Sequence, residues 1–306
     1  MNRFLPFALA IVVMLLGIRC STAPTDVAGG SGAGNPSGAT AFAMIADTSF
    51  TSYGLSKSMA GGLPVFARTA PAESGLGRTF RISDESNMCF TVDTAWVVVQ
   101  EIELLIDSTD ARRPRLPALS DGTLLYRGDA LVVHRERVFD LMTGAAFPGF
   151  DSIPIPMLRY CGMRLNMGDS EAAVGGLYGV RAGMPQSTPL VISGTCSYRD
   201  TIRDFCFKLP VANFNIIYAA PNAIEPSATG INRVYLLFDS KQWMQTIDIR
   251  TCLETGGIGF DASGRLAIES NAARQTCNGI EHVLRENIMR SGSLRTITPS
   301  TTTKVA

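Results

Sequence analysis

Few residues in this chain are of types that do chemistry, and their spacing assembles little. Only two histidines occur, His134 and His282. A serine hydrolase needs a nucleophile beside a histidine that a carboxylate orients. His134, in Val132-Val133-His134-Arg135-Glu136, reads as a strand-surface residue, and His282 lies beside Glu281 in a helical pattern. No Gly-x-Ser-x-Gly elbow accompanies either. Gly168-Asp169-Ser170 has the composition of a hydrolase tripeptide, but it follows a strand-like run and is expected to be a loop. Asp261-Ala262-Ser263-Gly264 opens like a calcium loop without the later ligands, so a plain turn is expected. A phosphate-cradling Gly-x-x-x-x-Gly-Lys-Ser/Thr motif is absent.

The remaining acid–base candidates are Glu101 and Glu103, which share one face of a strand. They would serve as acid and base only if their surroundings drove their pKa values apart. The competing expectation is a solvated strand face. The residues therefore predict no catalytic activity, no cofactor and no metal.

Cysteine usage is more informative. Seven occur, at 20, 89, 161, 196, 206, 252 and 277. No Cys-x-x-Cys is present and neither histidine is near a cysteine pair, which argues against a metal site. Setting Cys20 aside leaves an even number, expected to form disulfides in an oxidising compartment. The predicted pairs are Cys196–Cys206 across a polar turn, Cys89–Cys161 between neighbouring strands, and Cys252–Cys277 around Gly256-Gly257.

The N-terminus points to that compartment. Arg3 precedes an apolar run from Phe4 to Ile18. As a helix the run would reach about 22 Å, short of the roughly 30 Å of bilayer hydrocarbon. It has the length of a secretory signal, predicted over 1–19. Cys20 directly after it resembles the cysteine of a bacterial lipobox, although Arg19 and Gly17 depart from that pattern. Lipidation of Cys20 is the expectation. A Gly/Ser-rich tether over 20–41 would then carry a folded domain, predicted over 42–250.

Composition excludes several classes. Basic and acidic residues balance at 27 each, so no global field favours nucleic acid. After the leader no apolar run is long enough to span a membrane as a helix. No 20–50-residue period suggests a solenoid or propeller.

Strands dominate the pattern. Along Trp96–Ile106, Trp96, Val98, Ile102, Leu104 and Ile106 are expected to share a face. Along Arg159–Met167, Cys161, Met163, Leu165 and Met167 face one way, Arg164 and Asn166 the other. Val234, Leu236 and Phe238 alternate likewise. Gly and Pro punctuate these runs, as in an all-β antiparallel sandwich. The segment 251–306 is predicted to be an appendage with a disordered tail and one amphipathic helix over 279–290. An Asn278 cap with Glu281 would open that helix, and Ile280, Val283, Leu284 and Ile288 lie on its apolar face.

The order of motifs resembles bacterial envelope lipoproteins that carry a transthyretin-like domain of unknown function. Gly34-Asn35-Pro36-Ser37-Gly38 leads into a strand at Ala39–Ala46, and Thr94–Leu104 supplies a long strand. Val138–Gly144 follows, then Ile153-Pro154-Ile155-Pro156 before Tyr160–Leu165, and finally Val234–Asp239 with Trp243 behind it. The resemblance covers roughly residues 35–250 and leaves out the cysteines and the C-terminal segment. It implies a transthyretin- or Ig-like β-sandwich at the envelope and brings no catalytic residues.

The expectation is thus an outer-membrane lipoprotein, periplasmic or surface-facing, attached to the membrane by its N-terminal lipid. Its role would be structural or adhesive, with a protein or glycan ligand and no nucleic acid. Trp96 and Trp243, if exposed together, would stack a sugar, although both adjoin apolar strands and suit a core. An envelope hydrolase using the carboxylate pair is the alternative.

Overall fold

The computed structural model describes residues 37–47, 79–113, 116, 119, 122–147, 152–168, 190–209, 214–228, 231–268, 277 and 279–297. The leader, Cys20, most of the tether, Asp169-Ser170 and the tail after 297 lie outside the described residues.

The chain is all-β and sandwich-like, and its described residues form two sheets that do not close into a barrel. The smaller has four strands in the order β14 (Gly292–Ile297), β12 (Ile231–Asp239), β1 (Ser37–Asp47) and β7 (Ile153–Pro156). The larger has ten. Its main path runs β11 (Phe214–Ile224), β8 (Tyr160–Met167), β3 (Cys89–Ile106), β9 (Leu190–Tyr198), β10 (Thr201–Leu209) and β13 (Leu266–Ile268). Beside it lie β2 (Phe80–Ser83), β4 (Leu124–Arg127), β5 (Ala130–Asp140) and β6 (Ala146–Phe147). The sheets are mixed rather than wholly antiparallel, because β1 runs parallel to β12 and β10 parallel to β13.

One core joins the inner faces. Phe42 and Met44 of β1, with Val234, Leu236 and Phe238 of β12, meet Phe90, Val97 and Leu104 of β3 and Met163 and Leu165 of β8. Phe90 stands edge-on to Phe205 at 5.4 Å between ring centroids, a favoured aromatic geometry.

Strand β3 departs from simple alternation. Phe90 and Val92 point into the core, then Ala95, Val97 and Val99, then Ile102, Leu104 and Ile106. The phase changes coincide with register irregularities, between Val92 and Thr94 against β9 and between Val99 and Glu101 against β5. One extra residue moves every later side chain to the other face. Trp96 and Val98 therefore do not share a face with Ile102. They form a small outer cluster with Val138 and Phe147.

The C-terminal segment is part of the sandwich and not an appendage. Strand β14 pairs with β12, and β13 pairs with β10. Helix α1 (Ile249–Glu254) precedes them, and helix α2 (Ile280–Arg290) buries Ile280, Leu284, Ile288 and Met289. Gly279 caps α2 in the left-handed region, at φ 86°, without a side-chain hydrogen bond, and Asn278, read as the cap, lies outside the described residues. At the other end, β1 begins at Ser37, inside the stretch read as tether.

Of the predicted disulfides, Cys252–Cys277 forms, with Cα atoms 5.9 Å apart. The other two pairings do not. A tight turn at Arg199-Asp200, both at positive φ, sets the β9–β10 register so that Cys196 opposes Arg203 and Cys206 opposes Ser193. Three residues of offset separate the two sulfurs by roughly 10 Å of strand. Cys89 begins β3, whereas Cys161 lies beside that strand's far end, about 50 Å of extended chain away. Burial pushes the Cys196 thiol up to about 11 and keeps it protonated.

Candidate functional site

The outer face of the large sheet carries a polar cluster built around two carboxylates. Beyond the second irregularity of β3, Glu101 and Glu103 point away from the core. Pairing then decides their neighbours. Glu101 lies opposite His134 of β5 and Asn166 of β8, and Glu103 opposite Arg164 of β8. Arg127 reaches both carboxylates from the end of β4, the strand that pairs with β5.

The hydrogen bonds are dense. Arg127 grips Glu101 with two nitrogens, Nη1 to Oε2 at 2.7 Å and Nη2 to Oε1 at 2.9 Å. His134 Nδ1 meets Glu101 Oε1 at 2.6 Å, and Asn166 Nδ2 reaches Oε2 at 3.5 Å. Glu103 receives Arg127 Nη1 at 3.3 Å and Arg164 Nη1 at 2.6 Å. The carboxylates are nearly covered, Glu101 at 6% and Glu103 at 5% exposure. Their partners reach outward, with the side chain of Arg127 50% and that of His134 65% exposed. The expected solvated face is instead a layer of half-exposed donors over two covered anions.

Electrostatics define what the cluster can do. The Arg127 fork holds the Glu101 carboxyl down at about 2, outweighing burial, with His134 and Asn166 assisting. A general acid needs a carboxyl with a raised pKa. Glu101 is driven the opposite way and stays an anion, so its environment suits it to hold cations and orient donors.

The other sequence candidates are dispersed. Trp243 is buried in the core, edge-on to Phe80 at 5.3 Å, and its Nε1 donates to Ser291 Oγ at 3.2 Å. Trp96 lies on the outer face, so the two indoles form no common platform. His282 is on α2 against Arg285, far along the chain from any nucleophile motif. Gly168 directly follows β8, and the rest of its tripeptide is outside the described residues. Asp261 spends its carboxylate on its own turn. It accepts from Ser263 and Arg265, which hold it at about 2. No group of three or more His, Cys, Asp or Glu among the described residues could hold a metal.

Reading the sequence located Glu101, Glu103 and the outward direction of Arg164 and Asn166. It did not connect Arg127 or His134 to them. The alternation of 160–167 was the usable signal, but strand neighbours come from topology. No family profile, curated protein or solved structure matches this chain.

Proposed function

We propose that this chain is a lipid-anchored cell-envelope protein whose β-sandwich has a structural or adhesive role, binding a glycan through the outer face of its large sheet. The leader ending at Cys20 and the likeness to envelope lipoproteins support the address. The observation carrying the binding role is the strip Arg127, His134, Arg164 and Asn166. Its donors are half exposed and already oriented by Glu101 and Glu103. Donors fixed before the ligand arrives lose little side-chain entropy on binding, and sugar hydroxyls and ring substituents offer acceptors. Nothing in the cluster favours hydrolysis by the carboxylate pair, because Glu101 is held ionised.

Sedimentation of the full chain with purified peptidoglycan sacculi and with capsular polysaccharide tests this reading. Saturable binding to either glycan that drops at least tenfold in an Arg127→Ala/Arg164→Ala double variant supports it. Equal retention of both proteins, or no retention of the parent, would sink it. The anchor has its own test, since Cys20→Ala should abolish fatty-acid labelling and release the protein from membranes.

A further inference from the structure

A second polar group lies on the outer face of the small sheet, across the molecule from the strip on β3. Strands β12 and β14 place Tyr235 directly opposite Arg295, with Arg233 two residues along from Tyr235 and Ser293 two residues along from Arg295. Tyr235 is only 1% exposed. Yet Tyr235 Oη, Arg233 Nε, Ser293 Oγ and Arg295 Nε are all buried without a hydrogen-bond partner. Neither arginine has an ion pair with a described residue.

Such groups should not be left in this state. Buried polar atoms in native proteins are satisfied almost without exception, and an orphaned cluster marks a missing water or ion. Water is a poor answer here. A water accepts from a guanidinium nitrogen but leaves two like charges on neighbouring strand positions unneutralised. What satisfies all four groups at once is a partner that brings acceptors and negative charge together. The β1 residues paired with Arg233 and Tyr235 are Ala41 and Ala43, which add no competing polar group. Burial raises the Tyr235 pKa while Arg233 beside it works the other way, so the hydroxyl remains a donor at neutral pH.

There is also an approach. A groove of about 440 Å³ runs between β11 and β14, and Ser293 and Arg295 line it together with Arg290 and Ile217. Ile217 is itself exposed, and none of the groove's lining residues is acidic. A ligand entering there meets Ser293 and Arg295 directly, and Arg233 and Tyr235 lie behind them on the neighbouring strand β12.

We infer that Arg233, Tyr235, Ser293 and Arg295 form a binding site for a tetrahedral oxyanion, a phosphate or sulfate group. The divergence of donors over two strands fits oxygens pointing in several directions better than the flat pair of a carboxylate. The site is independent of the glycan strip on the other sheet, and the two can fail separately.

Isothermal titration of the full chain with inorganic phosphate, sulfate, glycerol phosphate and acetate tests it. Saturable binding of phosphate or sulfate, with acetate at least tenfold weaker, is expected. Glycerol phosphate binding as well would assign a phosphomonoester, and inorganic phosphate binding alone the free ion; either supports the site. Arg233→Met and Arg295→Met should each weaken phosphate binding at least tenfold. Tyr235→Phe should also weaken it, with a smaller loss than either arginine variant, since the hydroxyl's neighbour within the site is Arg233. The absence of saturable heat with every probe overturns the inference. So does phosphate affinity that these substitutions leave unchanged.

Discussion

Asp84, in the turn between β2 and β3, accepts a hydrogen bond at 2.8 Å from the backbone N–H of Ile249, the first residue of α1. The same buried carboxylate takes the N–H of Met88 at 2.7 Å and the hydroxyl of Ser86 at 2.8 Å, with Arg250 N at 3.4 Å. One side chain thus closes its own turn and supplements Asp248, the N-cap of the helix that opens the C-terminal segment. Orphan N–H groups at helix starts are what such carboxylates satisfy.

Asp84→Ala should therefore destabilise the fold by about 1–3 kcal/mol, since it leaves buried donors unpaired. Asp84→Asn keeps one acceptor oxygen and should lose less. Urea denaturation of both variants checks the order. Equal stability of Asp84→Ala and the parent would remove the capping role.

Glu101 predicts an acid-labile increment of stability. Its folded pKa, about 2, lies below the ordinary value of 4.5. The group therefore contributes fully above about pH 4.5, and that contribution is lost as the pH falls towards 2. Arg127 is half exposed and water screens the pair, so about 1–2 kcal/mol is expected instead of the full shift. Denaturant midpoints between pH 7 and pH 2.5 should fall more steeply for the parent than for Glu101→Gln. Parallel curves would refute it.

The staple is the third prediction. Cys252 and Cys277 are 25 residues apart in sequence, and closing such a loop is worth about 3–4 kcal/mol in the chain-entropy model. A Cys252→Ser/Cys277→Ser variant should melt well below the parent. Non-reducing peptide mapping should recover this link and neither Cys196–Cys206 nor Cys89–Cys161.

What the sequence made legible follows from physics that acts locally. The alternation of Val234, Leu236 and Phe238, and of Met163, Leu165 and Met167, survives because these residues of each strand all enter the main core. The helix at 280–290 was readable from its apolar stripe. Pairing was not readable, because register depends on distant turns. The two-residue turn at Arg199-Asp200 moved Cys196 away from Cys206, and the β3–β8 pairing carried Cys161 away from Cys89. The charged site was half legible for the same reason. Glu101 and Glu103 were visible as a pair, whereas Arg127 and His134 reach them only through the β4–β5–β3 pairing.

Gly194 offers the sharpest test of the long strand. It sits in β9 opposite Val92, beside the first irregularity of β3. An added Cβ would lie 2.0 Å from Thr91 O and 3.0 Å from its carbonyl carbon, and both are backbone atoms that cannot rotate away. An isolated glycine in a strand commonly marks a bulge or a close backbone approach, and here it marks both. Its φ of +156° adds a conformation that side-chain-bearing residues seldom adopt. Gly194→Ala must push β9 away from β3 where Phe90 and Val92 enter the core, at about 1–3 kcal/mol or more. Gly256→Ala is the control, because its φ of +70° is strained too but no atom lies within 4 Å of the new methyl. The comparison separates backbone strain from collision. Thermal unfolding should show a clearly larger loss for Gly194→Ala than for Gly256→Ala. Equal losses would mean that the β3–β9 contact yields freely and that the irregularity at Val92 does not depend on a glycine.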